Sequence, residues 1–286
     1  MDIKGYYKIA GHQFCFIGEK LNLAVNQMAG FSPFAMREPV GDVLFTFVEG
    51  EEIPPMMQEL YSFEYEGINS IFGATANGYI LEQRPSQQEA FYMWCQPSEK
   101  VVYLSGNWLL RLYRFAMWLG YGLMTLPYHT LAIHSSCVVY QDKAVLFLGE
   151  SGTGKSTHTG LWLKHIDGTS LLNDDSPIIR AEDGKIWVYG SAWSGKTPCY
   201  KNERYELKAC VRLSQAPHNR MRKLSILEAY GAIHPSCAPE FAYDEALYDQ
   251  VSQTIEQILR KAPFYHLECL PNQDAAKLSC ETIFSL

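Results

Sequence analysis

The sequence predicts a mixed α/β chain, with a phosphate-binding-loop core on a mixed sheet preceded by a small, mostly β region. Three observations carry this. Residues 149–157 read Gly-Glu-Ser-Gly-Thr-Gly-Lys-Ser-Thr directly after the apolar run Ala144–Leu148, the strand–loop–helix setting that gives a Gly-x-x-x-x-Gly-Lys-Ser/Thr pattern its meaning. Short runs of β-forming residues bounded by Gly and Pro fill the chain up to about residue 105. From 106 to 286 strand and helix patterns mix without the regular alternation of a simple doubly wound sheet.

At 286 residues the chain fits one large domain or two small ones, and the reading divides it into 1–105 and 106–286. The hydrophobic fraction of 47% is that of an ordinary globular protein. A net charge of −7 argues against non-specific nucleic-acid binding, which needs a broad basic face. It leaves room for a small basic pocket that takes one polyphosphate. The eight cysteines form no Cys-x-x-Cys pair and no zinc spacing, and read as buried free thiols in a reducing compartment. Met1–Ala10 has no signal-peptide core. The stretch 108–126 comes nearest to a membrane span, but Arg111 and Arg114 would sit at bilayer depth, so a partly buried helix is expected there and no membrane partner. The expected location is cytoplasmic, and association into a homo-oligomer is compatible with the same numbers.

Along the chain, Phe14–Phe16, Val43–Val48 and Ser70–Glu82 read as strands, with Gly78 marking a turn in the last. Phe91–Cys95 and Lys100–Leu104 read as a pair around Gln-Pro-Ser-Glu. Asn107 can cap a helix running to about Met124. Cys137–Tyr140, the turn Gln141-Asp142-Lys143 and Ala144–Leu148 form a hairpin feeding the glycine-rich loop, and Lys155–Ile166 is the helix behind it. Ser170–Asn173 is a strand ending at Asp174-Asp175. Ile178–Arg180 and Ile186–Tyr189 flank the turn Glu182-Asp183-Gly184. Glu206–Leu213 is a strand, Lys223–Ala229 a short helix, Tyr243–Ala262 a long helix ended by Pro263, and Phe264–Cys269 a last strand.

The chemistry concentrates around the loop. Gly149, Gly152 and Gly154 let the backbone curl so that the N–H groups of 149–157, Ser151 and Thr153 included, face phosphate oxygens. Lys155 adds charge over the β- and γ-phosphates, Ser156 is the expected magnesium ligand, and Thr157 adds a further contact. Asp174 and Asp175 end the neighbouring strand, where such a site needs carboxylates to hold magnesium and to accept a proton. His134, just ahead of the hairpin, and Glu150, inside the loop, are further charged candidates. The stretch Gly190-Ser-Ala-Trp-Ser-Gly-Lys196 would suit a flap over the ligand or, equally, an ordinary exposed loop. Arg204, Arg212, Arg220, Arg222 and Lys223 supply cations for a transferred phosphoryl group, and spacing alone does not choose among them.

These residues resemble the HPr kinase/phosphorylase family and, more distantly, the phosphoenolpyruvate carboxykinases that share its nucleotide-binding core. The matching stretch runs from Ile133-His134 through the strand pair, the loop Gly149–Thr157, and Leu171–Ile179 with Asp174-Asp175. The resemblance implies a mixed-sheet core, ATP and Mg²⁺ as cofactors, Asp174 as the base toward an acceptor serine, Asp175 as the metal-binding carboxylate, and His134 as an active-site histidine. It covers about 50 residues. The first hundred lack the family's usual N-terminal domain, and the glycine-rich signature tied to phosphorolysis is replaced by Gly190–Lys196. An HPr substrate and phosphorylase activity are therefore not implied.

The expectation is a magnesium-dependent, ATP-utilising kinase acting on a serine or other hydroxyl of a protein, peptide or small molecule. The alternatives are a non-catalytic nucleotide-binding sensor or assembly protein, and a carboxykinase-like enzyme for a small carboxylated metabolite.

Overall fold

The computed structural model describes residues 3–106, 109–195 and 197–285. It is a mixed α/β structure in two compact units, Met1–Pro127 with Pro239–Tyr248, and Tyr128–Ala238 with Asp249–Leu286. The predicted helix cap Asn107 and the loop lysine Lys196 lie outside the described residues.

The first unit is built on strands β1 (Lys4–Ile9), β2 (His12–Ile17), β3 (Ala35–Met36), β4 (Phe45–Glu49), β5 (Gln58–Tyr65), β6 (Ile68–Ala74), β7 (Tyr79–Pro85), β8 (Phe91–Gln96) and β9 (Val101–Gly106). They form one mixed sheet in the order β3-β1-β2-β4-β9-β8-β7-β6-β5. Helices α1 (Glu19–Asn26) and α2 (Leu110–Thr125) belong to the same unit. Alternate residues of a strand share a face, and here the shared face is aromatic. The parallel register of β2 and β4 sets Phe14 against Phe45 and Phe16 against Phe47, with stacked rings 5.2 and 4.7 Å apart. Tyr121 of α2 closes this cluster, and its hydroxyl donates to the Ile9 carbonyl (3.0 Å). The run Ser70–Glu82 is two strands, parted by a turn at Gly78, whose carbonyl accepts from Thr75 N–H (2.8 Å).

One buried group of this unit makes stability depend on pH. Glu240, in the 3-10 segment Pro239–Tyr243, is 2% exposed, and its Oε2 has no hydrogen-bond partner among the described residues. Burial pushes its carboxyl from the ordinary 4.5 up to about 7. The folded state then keeps a proton that the unfolded chain releases across that window. Stability therefore falls as pH rises from about 4.5 to 7, by about 3 kcal/mol in all. Glu240→Gln should be more stable than the parent by up to that amount at pH 8 and by little at pH 5. Urea unfolding at the two pH values measures it, and a gap that did not change with pH would refute the assignment.

The second unit is built on β10 (Thr130–Ala132), β11 (Ser135–Tyr140), β12 (Lys143–Leu148), β13 (Ser170–Asp175), β14 (Ile178–Glu182), β15 (Lys185–Tyr189), β16 (Arg204–Gln215), β17 (Arg220–Lys223) and β18 (Phe264–Cys269). Its helices are α3 (Lys155–His165), α4 (Ile226–Ile233), α5 (Glu245–Lys261) from Asp249 onward, and α6 (Gln273–Phe284). The main path of this second mixed sheet is β10-β14-β15-β16-β12-β11-β13. β16 pairs in parallel with β12 along one edge and, through Cys210–Gln215, with β18 along the other. The hairpin β11–β12 turns at Gln141 and Asp142, both at positive φ (49° and 56°), the left-handed geometry that Asp and Asn tolerate and a two-residue hairpin requires. β11 is antiparallel to both β12 and β13, so β12 and β13 run in the same direction with β11 between them. Parallel strands cannot be joined by a tight turn, and α3 makes the crossover.

Packing fixes α3 on this sheet. Trp162 is fully buried among Val138, Phe147, Val211 and Ile283. Its Nε1 donates to Ser279 Oγ on α6 (2.9 Å), and that hydroxyl donates on to Ala276 O (2.9 Å). With the hydroxyl proton committed, His158 must present Nε2–H to the same oxygen (3.1 Å). Burial pushes His158 down to about 4, so the ring is neutral. The short helix expected over Lys223–Ala229 starts later, at Ile226. Ser225 and Glu228 form a reciprocal capping box there, and Lys223 ends β17 instead.

Candidate functional site

Three strand ends meet at one edge of the second sheet. The register pairs Ser135 with Leu148 on one side and with Asp175 on the other, and Ser136 with Phe147 and Asp174. His134, the residue before β11, therefore emerges beside the loop that leaves β12 and the carboxylates that end β13. Residues far apart in the chain become neighbours because β11 lies between the other two.

The loop closes on itself. Thr153 donates to Glu150 O through both Oγ1 (2.6 Å) and N–H (3.2 Å). Gly152 and Gly154 sit at φ +81° and +105° with open space where a Cβ would stand, so backbone conformation and not room demands glycine. α3 begins at Lys155 without a side-chain cap, and Ser151, Ser156 and Thr157 are exposed around its first turn. The first N–H groups of a helix lack carbonyl partners within it and carry partial positive charge toward whatever lies beyond.

The predicted side chains form one network. Lys155 is only 8% exposed, and its ammonium donates to Gly149 O (2.8 Å), Glu150 O (3.2 Å) and His134 Nε2 (3.0 Å). Accepting at Nε2 leaves the His134 proton on Nδ1, which faces Asp175 Oδ1 at 3.1 Å. Burial lowers the Lys155 pKa, Asp175 and Asp174 work against that, and Arg212 adds to the lowering. Asp174 is 3% exposed, and its Oδ1 accepts from Ser156 Oγ (2.9 Å) and, in a very short contact, from Ser136 Oγ. The side chains of His134 and Asp175 are 47% and 40% exposed. The two aspartates thus differ: one is held inside by two hydroxyls, the other opens to solvent beside the imidazole.

Residues 191–194 brace this end and are buried, so they form neither the flap nor the exposed loop considered above. Ser191, Ala192, Trp193 and Ser194 are buried. Asn173 Nδ2 donates to Trp193 O (3.0 Å), Ser191 Oγ to Ser176 O (2.6 Å), and Ser194 Oγ to Asp174 O (3.1 Å), with Gly195 N–H closing on that same carbonyl. Asp175 lies at φ +135°, a conformation that side-chain-bearing residues rarely adopt, and an isolated bridge to Ser194 secures it. Ser136 and Asn173 are not singled out by the sequence, and Ser191 and Ser194 enter it only as part of the stretch Gly190–Lys196. The only signal for the first is its place two residues after His134.

Of the five candidate cations, the fold brings Arg212 to the loop. It pairs in register with Leu148 at the end of β12, and its guanidinium reaches Glu150 Oε1 (3.5 Å) and Ala232 O (3.5 Å). The Glu150 side chain is 85% exposed, so this ion pair contributes little and can be exchanged. Arg204 stacks over the Trp187 ring (4.4 Å) near the opposite end of β16, and Arg222 is paired with Glu228 (2.8 Å). Among the described residues no three His, Cys, Asp or Glu side chains are gathered as a metal site. A cation placed between Ser156 and a carboxylate would complete its shell with phosphate oxygens and water. No described helix is long and apolar enough to cross a membrane.

No protein-family model and no curated protein matches the chain. Among solved structures it is similar in part to the Hpr(Ser) kinase/phosphatase from Coxiella burnetii, at 14% identity over 54% of this chain and 88% of that one, with a TM-score of 0.31.

Proposed function

We propose that this chain is a magnesium-dependent, ATP-utilising phosphotransferase whose acceptor is a serine or other hydroxyl on a protein, peptide or small molecule. The observation that carries the reading is the single network linking Lys155, His134 and Asp175, with Asp174 on Ser156 beside it, at the mouth of a glycine-rich loop. The loop N–H groups and Lys155 would hold the β- and γ-phosphates, and Arg212 stands where it can leave Glu150 for a phosphoryl oxygen. A magnesium ion bound at Ser156 and one carboxylate would neutralise charge on the transferred group. The acceptor oxygen attacks the γ-phosphorus, the bond to the bridging oxygen breaks, and the acceptor proton passes to the other carboxylate.

The resemblance assigns the base to Asp174 and the metal to Asp175. A specific observation favours the reverse division. Ser156, the expected magnesium ligand, already bonds to buried Asp174, while Asp175 is the carboxylate open to an incoming hydroxyl.

Incubation with γ-labelled ATP, magnesium and cell extract, followed by identification of the labelled species, tests the proposal. Label on a protein, peptide or small-molecule hydroxyl supports it. Binding without transfer would leave a nucleotide sensor, and label on a carboxylated metabolite would favour the carboxykinase-like chemistry.

A further inference from the structure

Away from the loop, the second unit has a cleft of about 470 Å³ that the proposed reaction does not use. It is bordered by the junction of β17 with α4, the end of α5 and the start of β18. Leu224, Leu259, Phe264 and Tyr265 make its walls apolar. Three cations, Lys223, Arg260 and Lys261, also line it, and among the described residues no carboxylate does. Arg260 is paired with Glu256 along α5 (2.5 Å). Lys223 and Lys261 are exposed and have no ion-pair partner among the described residues. Cations at the C-terminal end of a helix suit its dipole, which accounts for Arg260 and Lys261. It does not account for Lys223, which ends β17 in register with Tyr265 of β18. In a chain of net charge −7 the sign is locally reversed here.

A second observation lies on the rim. Ile226 and Leu227, adjacent on the first turn of α4, are 77% and 83% exposed. The capping box that starts this helix uses only Ser225 and Glu228, so it does not call for aliphatic side chains at the two positions between them. Ile226 lines the cleft and Leu227 does not, so apolar surface runs out of the cleft and onto the helix beside it.

We propose that this surface docks an acidic segment of a partner protein, with an apolar side chain seated in the cleft and flanking carboxylates on Lys223 and Lys261. The proposal does not depend on how the glycine-rich loop is read. Opposite charge selects the partner and apolar burial holds it, the division of labour usual at protein interfaces. A small organic anion would fill the cleft and leave Leu227 in water. A lipid surface would take Ile226 and Leu227 but leave the recessed walls at Leu259 and Phe264 uncovered. A peptide that carries both carboxylates and an apolar anchor covers the cleft, the cations and the exposed turn together.

Fluorescence anisotropy of a labelled peptide, Glu-Glu-Leu-Phe-Glu-Glu, titrated with the full chain provides the test. The peptide should bind, and its affinity should fall as salt is raised. Two control peptides, Lys-Lys-Leu-Phe-Lys-Lys and Glu-Glu-Ser-Ser-Glu-Glu, should each bind about tenfold or more weakly. The double variant Lys223→Glu with Lys261→Glu, and separately Ile226→Ser, should each lose about tenfold or more in affinity for the first peptide. All three side chains are exposed, so both variants should melt as the parent does. Lys155→Ala should bind the peptide with parental affinity, which separates this surface from the phosphate site. No binding of the first peptide, equal binding of all three, or parental affinity in the folded variants each overturns the proposal. Binding to phosphatidylserine vesicles without binding to the peptide overturns it in favour of a membrane surface. Self-association that Ile226→Ser abolishes, again without peptide binding, overturns it in favour of a contact between copies.

Discussion

Lys155→Ala should abolish triphosphate binding, by about 100-fold or more, and transfer with it. Among the described residues the ammonium is the one cation seated inside the loop, and charge-assisted hydrogen bonds to phosphate in a half-desolvated site are among the strong ones. Lys155→Arg should not rescue it. The rest position is bounded by two carbonyls and an imidazole within 3.2 Å, a space for a compact ammonium and not for a planar fork. Binding is measured by calorimetry and folding by thermal melting. A folded Lys155→Ala protein with parental affinity would sink the assignment of the loop.

The second large effect concerns the aspartate pair. Asp174→Asn and Asp175→Asn should each cost about 10² or more in turnover, and they should separate on magnesium. The hydrogen bonds predict that Asp174→Asn raises the magnesium concentration needed for half-maximal rate, since it removes the carboxylate bonded to Ser156. Asp175→Asn should leave that requirement unchanged and lose the rate itself. The opposite pattern would return the base to Asp174 and the metal to Asp175, as the family resemblance implies. Parental turnover in both variants would remove the pair from the chemistry. Ser136→Ala is a useful companion, because it releases one hydroxyl from Asp174 without touching the loop.

Much of the second unit was legible because its patterns are dense and local. The run Cys137–Leu148 is apolar on both sides of a turn whose residues adopt the required positive φ, and the glycine spacing after it matches φ values that only glycine takes easily. Elements with weak burial were not legible. β5 is mostly exposed along its length, so no alternation marks it. α6 buries Ala275, Ala276, Ser279, Cys280 and Ile283, all but the last of them small residues that leave little hydrophobic contrast. The stretch 191–194 is polar enough to read as exposed, yet its hydroxyls donate to the carbonyls of Ser176, Trp193 and Asp174, which lets it be buried. Arg212 could not be separated from the other four cations, because only sheet register distinguishes them. The differing environments of Asp174 and Asp175 do follow from sequence in one respect: successive strand residues point to opposite faces.

The rest position of Lys155 changes what ligand capture means here. An ammonium held by two carbonyls and a histidine is an internal counter-ion, and on the proposed function a triphosphate would have to displace those partners before it gained the lysine for itself. Among the described residues, two cationic side chains, Lys155 and Arg212, face three carboxylates, Glu150, Asp174 and Asp175, so the mouth they form is acidic. A bare triphosphate arrives there as one more anion among anions. On the proposed function, its complex with a divalent cation would arrive with part of its charge cancelled and with coordination sites to offer the carboxylates, so the charge of the site would favour the metal-bound form of the donor.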